Sequence, residues 1–283
     1  MSAPRPPHTS PAARAPGARP APLPLTRRPA PWTGPRAALW AALWAALCGA
    51  LCGALWAAPA RAQEWEVLRR EEGVVVSMRP EPGRELPSFR GVGRVKAGMY
   101  HILAILSDGV RRREWMTRSG VTRVLKRVTD TEGVSYQQTI APWPVSDRDV
   151  VMRTHIYRRA EPLEVVATFD GVDWREPIAG VNREDFVLMT YLKGYWRLVA
   201  VGDGETEVTY MVNTHPGGSL PGWLIKRITR DLPFYTITGI REQAKRSAGQ
   251  YNEFLRRFDP AFEPSAPKVA LAPPPQDVIE YMR

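Results

Sequence analysis

Residues 219–246 read SLPGWLIKRITRDLPFYTITGIREQAKR, and this stretch decides the fold. Ser219 is placed to cap a helix whose first turn holds Pro221, where a missing N–H costs little. Leu220, Leu224, Ile228 and Leu232 recur every fourth residue, and Tyr235 follows three later, which makes one apolar stripe of an amphipathic helix. Lys226, Arg227, Thr229 and Arg230 fall off the stripe. Pro233 is expected to bend or interrupt the helix near its middle. Nearly everything before the helix reads as β-strand, so its greasy face needs a curved sheet to lie against. The functional question is whether the space between them is filled with side chains or open to a ligand.

Working outward toward the N-terminus, residues 206–214 form a strand with Val208, Tyr210 and Val212 on one face. Gly202-Asp203-Gly204 makes the hairpin turn before it. Residues 185–201 read as the longest strand, with Phe186, Leu188, Thr190, Leu192, Trp196 and Leu198 as an inner face of period two. Further strands are expected over residues 74–78, 88–97, 121–128, 134–141, 148–159 and 163–169, with an irregular connection over 171–183. Gly98 opens a helix whose apolar face is Met99, Ile102, Leu103, Ile105 and Leu106, and a short basic helix follows over 110–115. Strands, two short helices, more antiparallel strands and one long helix make an α+β architecture with its helices on one side of the sheet. The folded domain is expected over residues 63–258. Residues 259–283 hold six prolines and no strand pattern, and read as a disordered tail with a helical turn near Val278.

The charge is uneven. Residues 1–62 hold seven arginines and no acidic residue, which leaves 32 basic against 29 acidic residues in the remainder. The high pI therefore belongs to the leader and does not argue for nucleic-acid binding. A basic Pro/Ala/Arg start, an uncharged apolar run over 37–58 and Ala60-Arg61-Ala62 read as a secretory signal peptide cleaved after Ala62. The competing reading is an uncleaved inner-membrane anchor, since 22 apolar residues can span a bilayer. Both place the folded part outside the cytoplasmic membrane, in the periplasm or secreted. Both cysteines, Cys48 and Cys52, lie in the apolar run, so a cleaved chain has no disulfide, thiol nucleophile or cysteine-ligated metal.

Five stretches, in order, resemble one family. They are Glu72-Gly73-Val74-Val75-Val76, Asp108 with Arg113-Glu114-Trp115, and Trp143-Pro144-Val145-Ser146-Asp147-Arg148-Asp149. Gly194-Tyr195-Trp196 follows, then His215-Pro216-Gly217-Gly218 with Trp223-Leu224. Together they resemble the START (StAR-related lipid-transfer) domain, here of a bacterial secreted type, over about residues 65–258. The resemblance implies a helix-grip fold, a curved antiparallel sheet wrapped around the C-terminal helix with a cavity for a lipid or other hydrophobic small molecule. It implies non-catalytic binding or transfer. The alternative is an enzyme, because related helix-grip folds include polyketide cyclases and aromatases. The chain departs from the family in carrying an export leader and in lacking most of an N-terminal helix.

On this reading the cavity is lined by Tyr136, Gln138, Met152, Thr154 and Ile156, by Leu188, Leu192, Trp196, Tyr210 and Val212, and by Leu224, Ile228 and Leu232 from the helix. A few polar groups in an apolar pocket would orient a ligand; the same residues also suit a filled, hydrogen-bonded core. His101, His155 and His215 have no metal-ligand spacing, no phosphate loop is present, and no cofactor is expected. Asp147-Arg148-Asp149 reads as a salt-bridged corner, or as a polar group entering the cavity. Trp143 reads as a cap on the core or as an aromatic for transient membrane contact. Gly239 and Pro233 would let the long helix hinge. A monomer is expected.

Overall fold

The computed structural model describes residues 64–283, except Asp203, Ser219, Pro221 and the side chains of 222–229. The leader, the Ser219 cap and the side chains of Leu224 and Ile228 therefore lie outside the described residues. The chain opens with β1 (Glu66–Glu71), β2 (Val74–Arg79) and β3 (Ser88–Val95), then α1 (Met99–Ser107) and a single 3-10 turn at Arg112–Glu114. There follow β4 (Ser119–Arg127), β5 (Glu132–Thr139), β6 (Arg148–Arg159) and β7 (Glu164–Gly171). Next come β8 (Val187–Leu188), β9 (Tyr191–Gly202) and β10 (Glu205–His215). The chain finishes with α2 (Gly222–Arg246), α3 (Asn252–Phe258) and α4 (Gln276–Tyr281).

The strands form one sheet in the order β1-β2-β3-β10-β9-β7-β6-β5-β4, and β8 adds to β6 in parallel. All other neighbours are antiparallel. This is the α+β helix-grip architecture expected, with two strands more. One of them is β1, over residues 66–71, which pairs with β2 as an edge strand ahead of the first strand expected.

The inner face carries the main core: Val150, Met152, Val165, Ala167, Phe169, Trp196, Leu198, Val208, Tyr210 and Val212, packed with α1, Ile240 and Ala244. Phe169 lies directly opposite Gly194 in the β7–β9 register. A side chain at Gly194 would stand 2.4 Å from the Phe169 ring, so glycine is what lets this ring lie over the strand. The long helix is assigned without interruption through Pro233. Pro233 sits against Gly91 of β3, whose missing side chain makes the room. Among the described residues, no helix is long and apolar enough to cross a membrane.

Two expectations are corrected. The long strand over 185–201 is two strands. Residues 187–188 pair with β6, the chain then passes Met189 and Thr190, and β9 starts at Tyr191. The change of partner resets which side chains face inward. Residues 259–283 are placed against the domain. Ala272 accepts a backbone hydrogen bond from Arg158, and Val278, Tyr281 and Met282 pack on Val166, Tyr195 and Met211 of the outer sheet face. Proline in this segment blocks strand pairing, but it does not prevent an apolar terminus from covering an apolar face.

Candidate functional site

Between the inner sheet face, α1, the 3-10 turn and the long helix lies a cavity of about 310 Å³. That volume is at the lower end of the range for small-molecule pockets. Its floor is apolar. Trp196 stacks on Tyr210 with ring centroids 4.2 Å apart, and Trp115 meets Trp196 edge-on at 6.3 Å. Phe169, Met152, Ile156, Leu192 and Val212 extend the floor, and Leu232 closes it from α2.

A compact polar group interrupts this lining. Arg112 reaches inward from the 3-10 turn and donates to Gln137 Oε1 at 2.7 Å and to the Leu106 carbonyl at 3.0 Å. The amide of Gln137 faces Met116 Sδ at 3.8 Å. Burial lowers the pKa of Arg112 and raises that of Tyr210, because both charged forms lose water. Arg148 lines the same space, donates to the Ser146 carbonyl and is 5 % exposed.

The expected site residues divide by strand. Met152, Thr154, Ile156, Leu192, Trp196, Tyr210, Val212 and Leu232 stand on the cavity wall. Tyr136, Gln138 and Leu188 do not. Tyr136 is fully buried on the opposite sheet face, in a small core with Val134, Val151 and Ile178. Gln138 donates to Asp147 at 3.0 Å and accepts from the Val121 N–H at 3.2 Å. The inward residues of β5 are instead Ser135, Gln137 and Thr139. The error has a physical cause. The connection over 172–186 covers this part of the outer face with Val172, Trp174 and Val181, so the apolar residues of β5 mark an outer core. Leu188 is 51 % exposed on the two-residue strand, and Met189 lines the cavity in its place.

Asp147-Arg148-Asp149 serves both readings. Asp149 pairs with Arg183 at 2.6 Å and Asp147 accepts from the Ala141 N–H at 2.9 Å, while Arg148 faces the cavity. Trp143 is 92 % exposed and caps nothing. Gly239 is not a free hinge, since a side chain there would meet the Trp115 carbonyl at 2.0 Å. Arg112, Gln137, Trp115 and Met116 were missed as lining residues. The one signal for them was a basic turn ahead of a tryptophan.

The model of the START domain family matches residues 50–236. The chain belongs to the START domain family. A Pseudomonas aeruginosa protein described only as uncharacterized is 31% identical to it over 194 residues, 67% of this chain and 91% of that protein. Mouse START domain-containing protein 10 is 22% identical over 161 residues, 56% of this chain and 52% of that protein. Among solved structures, a fragment of a STAR-related lipid transfer protein from Xanthomonas axonopodis is 31% identical with a TM-score of 0.58. It is covered over 98% of its length and covers 64% of this chain. Human STARD10 superposes with a TM-score of 0.60 at 20% identity, covering 73% of this chain and 84% of that one, which is likeness of fold alone. The START match ends within the long helix, so α3 and residues 259–283 lie outside it.

Proposed function

We propose that this START domain binds, without catalysis, a lipid or other hydrophobic small molecule in the cavity between its sheet and long helix. The observation that carries the reading is the cavity wall itself. Trp196, Tyr210, Phe169, Met152 and Ile156 converge on an internal space, with few polar groups among them. Affinity would come from apolar burial, at ~25 cal/mol per Å². The Xanthomonas relative, a STAR-related lipid transfer protein at 31% identity, supports the same ligand class. We further propose that the domain works as a monomer outside the cytoplasm, delivered by its leader, with Trp143 making transient membrane contact.

The test is native mass spectrometry of the protein recovered from its own cells. The expected result is a co-purifying apolar adduct, released unchanged on unfolding. A chemically altered product that accumulates with time would point instead to cyclase-like turnover. N-terminal sequencing of exported material should start at Gln63; full-length protein in the inner membrane would favour the anchor, and cytoplasmic protein would reject both.

A further inference from the structure

β5 leaves the β4–β5 turn at one end of the cavity and finishes at the loop carrying Trp143 at the other. At the turn, the interior meets a cleft on the surface. Thr129, Asp130 and Thr131 of the turn line the cavity. The same three residues line the cleft, whose far wall is Arg257 of α3 with Pro267, Lys268 and Val269. The turn is thus the partition between the two spaces.

The far wall is fixed. The Arg257 carbonyl accepts from the Val269 N–H at 2.8 Å. Lys268 Nζ donates to the carbonyls of Arg256, Phe262 and Glu263 at 2.7, 2.7 and 2.9 Å. Ala272 accepts from the Arg158 N–H at 2.9 Å, on the part of β6 that runs past the end of β5. Val269 and Leu271 pack against the main core.

The partition is held far less firmly. β4 is an edge strand, and its pairing with β5 is broken by a bulge between Val124 and Lys126. Beyond the bulge, residues 126–130 are all exposed. The N–H groups of Val128 and Thr129 donate to the Glu132 carbonyl inside the same hairpin. The first tie to the rest of the sheet comes at Thr131, whose carbonyl accepts from the Ile156 N–H at 2.9 Å. Among the described residues, one side-chain bond reaches out of 126–130 to another element, the ion pair of Asp130 with Arg257. Its side chains are 48% and 41% exposed, so the pair contributes little and salt screens it. A segment exposed along its length and held by one such pair opens at low cost, and a bulge gives its strand a place to bend. The long helix is held otherwise, by close approach at Gly91 and Gly239.

We propose that the tip of the β4–β5 hairpin is a door to the cavity. Residues 126–130 swing about the bulge, away from α3 and residues 267–272, and the Asp130–Arg257 pair latches them shut. Ligand enters and leaves at this end. This rests on the cavity-binding reading above and adds the route to it.

The test follows exchange of N-phenyl-1-naphthylamine, a small apolar fluorophore, on the full-length protein by stopped-flow fluorescence. Binding is read in one direction and release into excess β-cyclodextrin in the other. Asp130→Asn and Arg257→Gln each remove the latch at an exposed position. Both should raise the association and dissociation rates about two- to fivefold, the range open to an exposed ion pair. Kd should stay within about twofold, because a door changes both rates together. Raising salt from about 0.02 M to about 0.5 M should bring the wild-type rates toward those of the variants and leave the variants nearly unmoved. A second measurement closes the door. Asp130→Cys with Arg257→Cys, in a chain that also carries Cys48→Ser and Cys52→Ser, has thiols at the latch alone. Bridging them with 1,2-bis(maleimido)ethane should slow both rates about tenfold or more against the same protein before bridging, since the open state is no longer reached. A bridged protein that exchanges at the unbridged rate, or latch variants with wild-type rates, overturns the door and leaves the cavity reading intact. Absence of saturable binding of the fluorophore in every form overturns both.

Discussion

Glu164 is fully buried on the outer face of the sheet, between Arg159 at 2.7 Å and Arg197 at 2.5 Å. Removing one partner of a buried pair leaves charge uncompensated, which typically costs 3–5 kcal/mol. Arg159 and Arg197 keep 32% and 30% side-chain exposure, so water would screen them once the carboxylate is gone. Glu164→Ala is therefore expected to lose about 2–3 kcal/mol in urea unfolding, with cavity binding retained. His101 makes a different prediction. Ser247 Oγ donates to the Gln243 carbonyl at 2.7 Å, so its free lone pair accepts from His101 Nε2–H at 2.9 Å. Burial lowers the pKa of the ring below the ordinary value, which favours its neutral form. The unfolded chain then takes up the proton more readily. Stability from this residue is present above pH ~6.5 and is lost as pH falls from there toward the folded-state pKa. His101→Gln should flatten the stability profile between pH 7.5 and 5. Parallel profiles for the two proteins in denaturant titrations would rule this out.

At the scale of elements, the long helix is placed by close approach at two glycines. Gly91 on β3 admits Pro233, and Gly239 on the helix admits the Trp115 carbonyl. A glycine in mid-helix is normally improved by alanine by about 1 kcal/mol. Here the added methyl would meet backbone oxygen at 2.0 Å, and that oxygen belongs to the turn carrying Arg112. Gly239→Ala is expected to reverse the usual sign and destabilise by about 1–3 kcal/mol, the ordinary range for overpacking. It should also weaken ligand binding, because the helix and the Arg112 turn must move apart. A more stable variant in thermal unfolding would show that the two elements are not held in contact.

At the scale of the whole molecule, residues 259–283 extend the domain beyond the START match. Tyr281 meets Tyr195 edge-on at 5.9 Å, Lys193 lies 4.4 Å over the Tyr281 ring, and the Met282 carbonyl accepts from Tyr195 Oη at 3.4 Å. Arg257 of α3 pairs with Asp130 at the β4–β5 turn. Deleting 259–283 uncovers Val166, Tyr195 and Met211, an apolar patch on a face remote from the cavity floor. Val278, Tyr281 and Met282 are lost from this face and Val269 and Leu271 from the main core, five half-buried apolar side chains at about 1 kcal/mol each. The truncated protein should be about 5 kcal/mol less stable and should bind the dye ANS on the exposed face. Ligand affinity should be nearly unchanged, and an unaltered melting temperature would show that the segment does not cover the sheet.

What the sequence determined by itself was the order of elements and the phase of strands with one partner environment. One-face alternation over 206–214 placed Tyr210 and Val212 on the inner face, and Met152, Thr154 and Ile156 were expected to line the cavity from the strand at 148–159; all five stand on its wall. Alternation works there because the outward residues are the more polar set. It failed on β5, where the apolar Val134 and Tyr136 belong to the outer core and the inward residues are Ser135, Gln137 and Thr139, so that apolar character points the wrong way. It failed again at Leu188, because a change of strand partner leaves no mark on side-chain pattern. Only the tertiary structure brought Arg112, Gln137 and Arg148 to one cavity, from a turn, a strand and a strand start, and set Asp130 of a hairpin turn against Arg257 of α3. Residues distant in the chain decide which side chains share a space, and no local pattern records that.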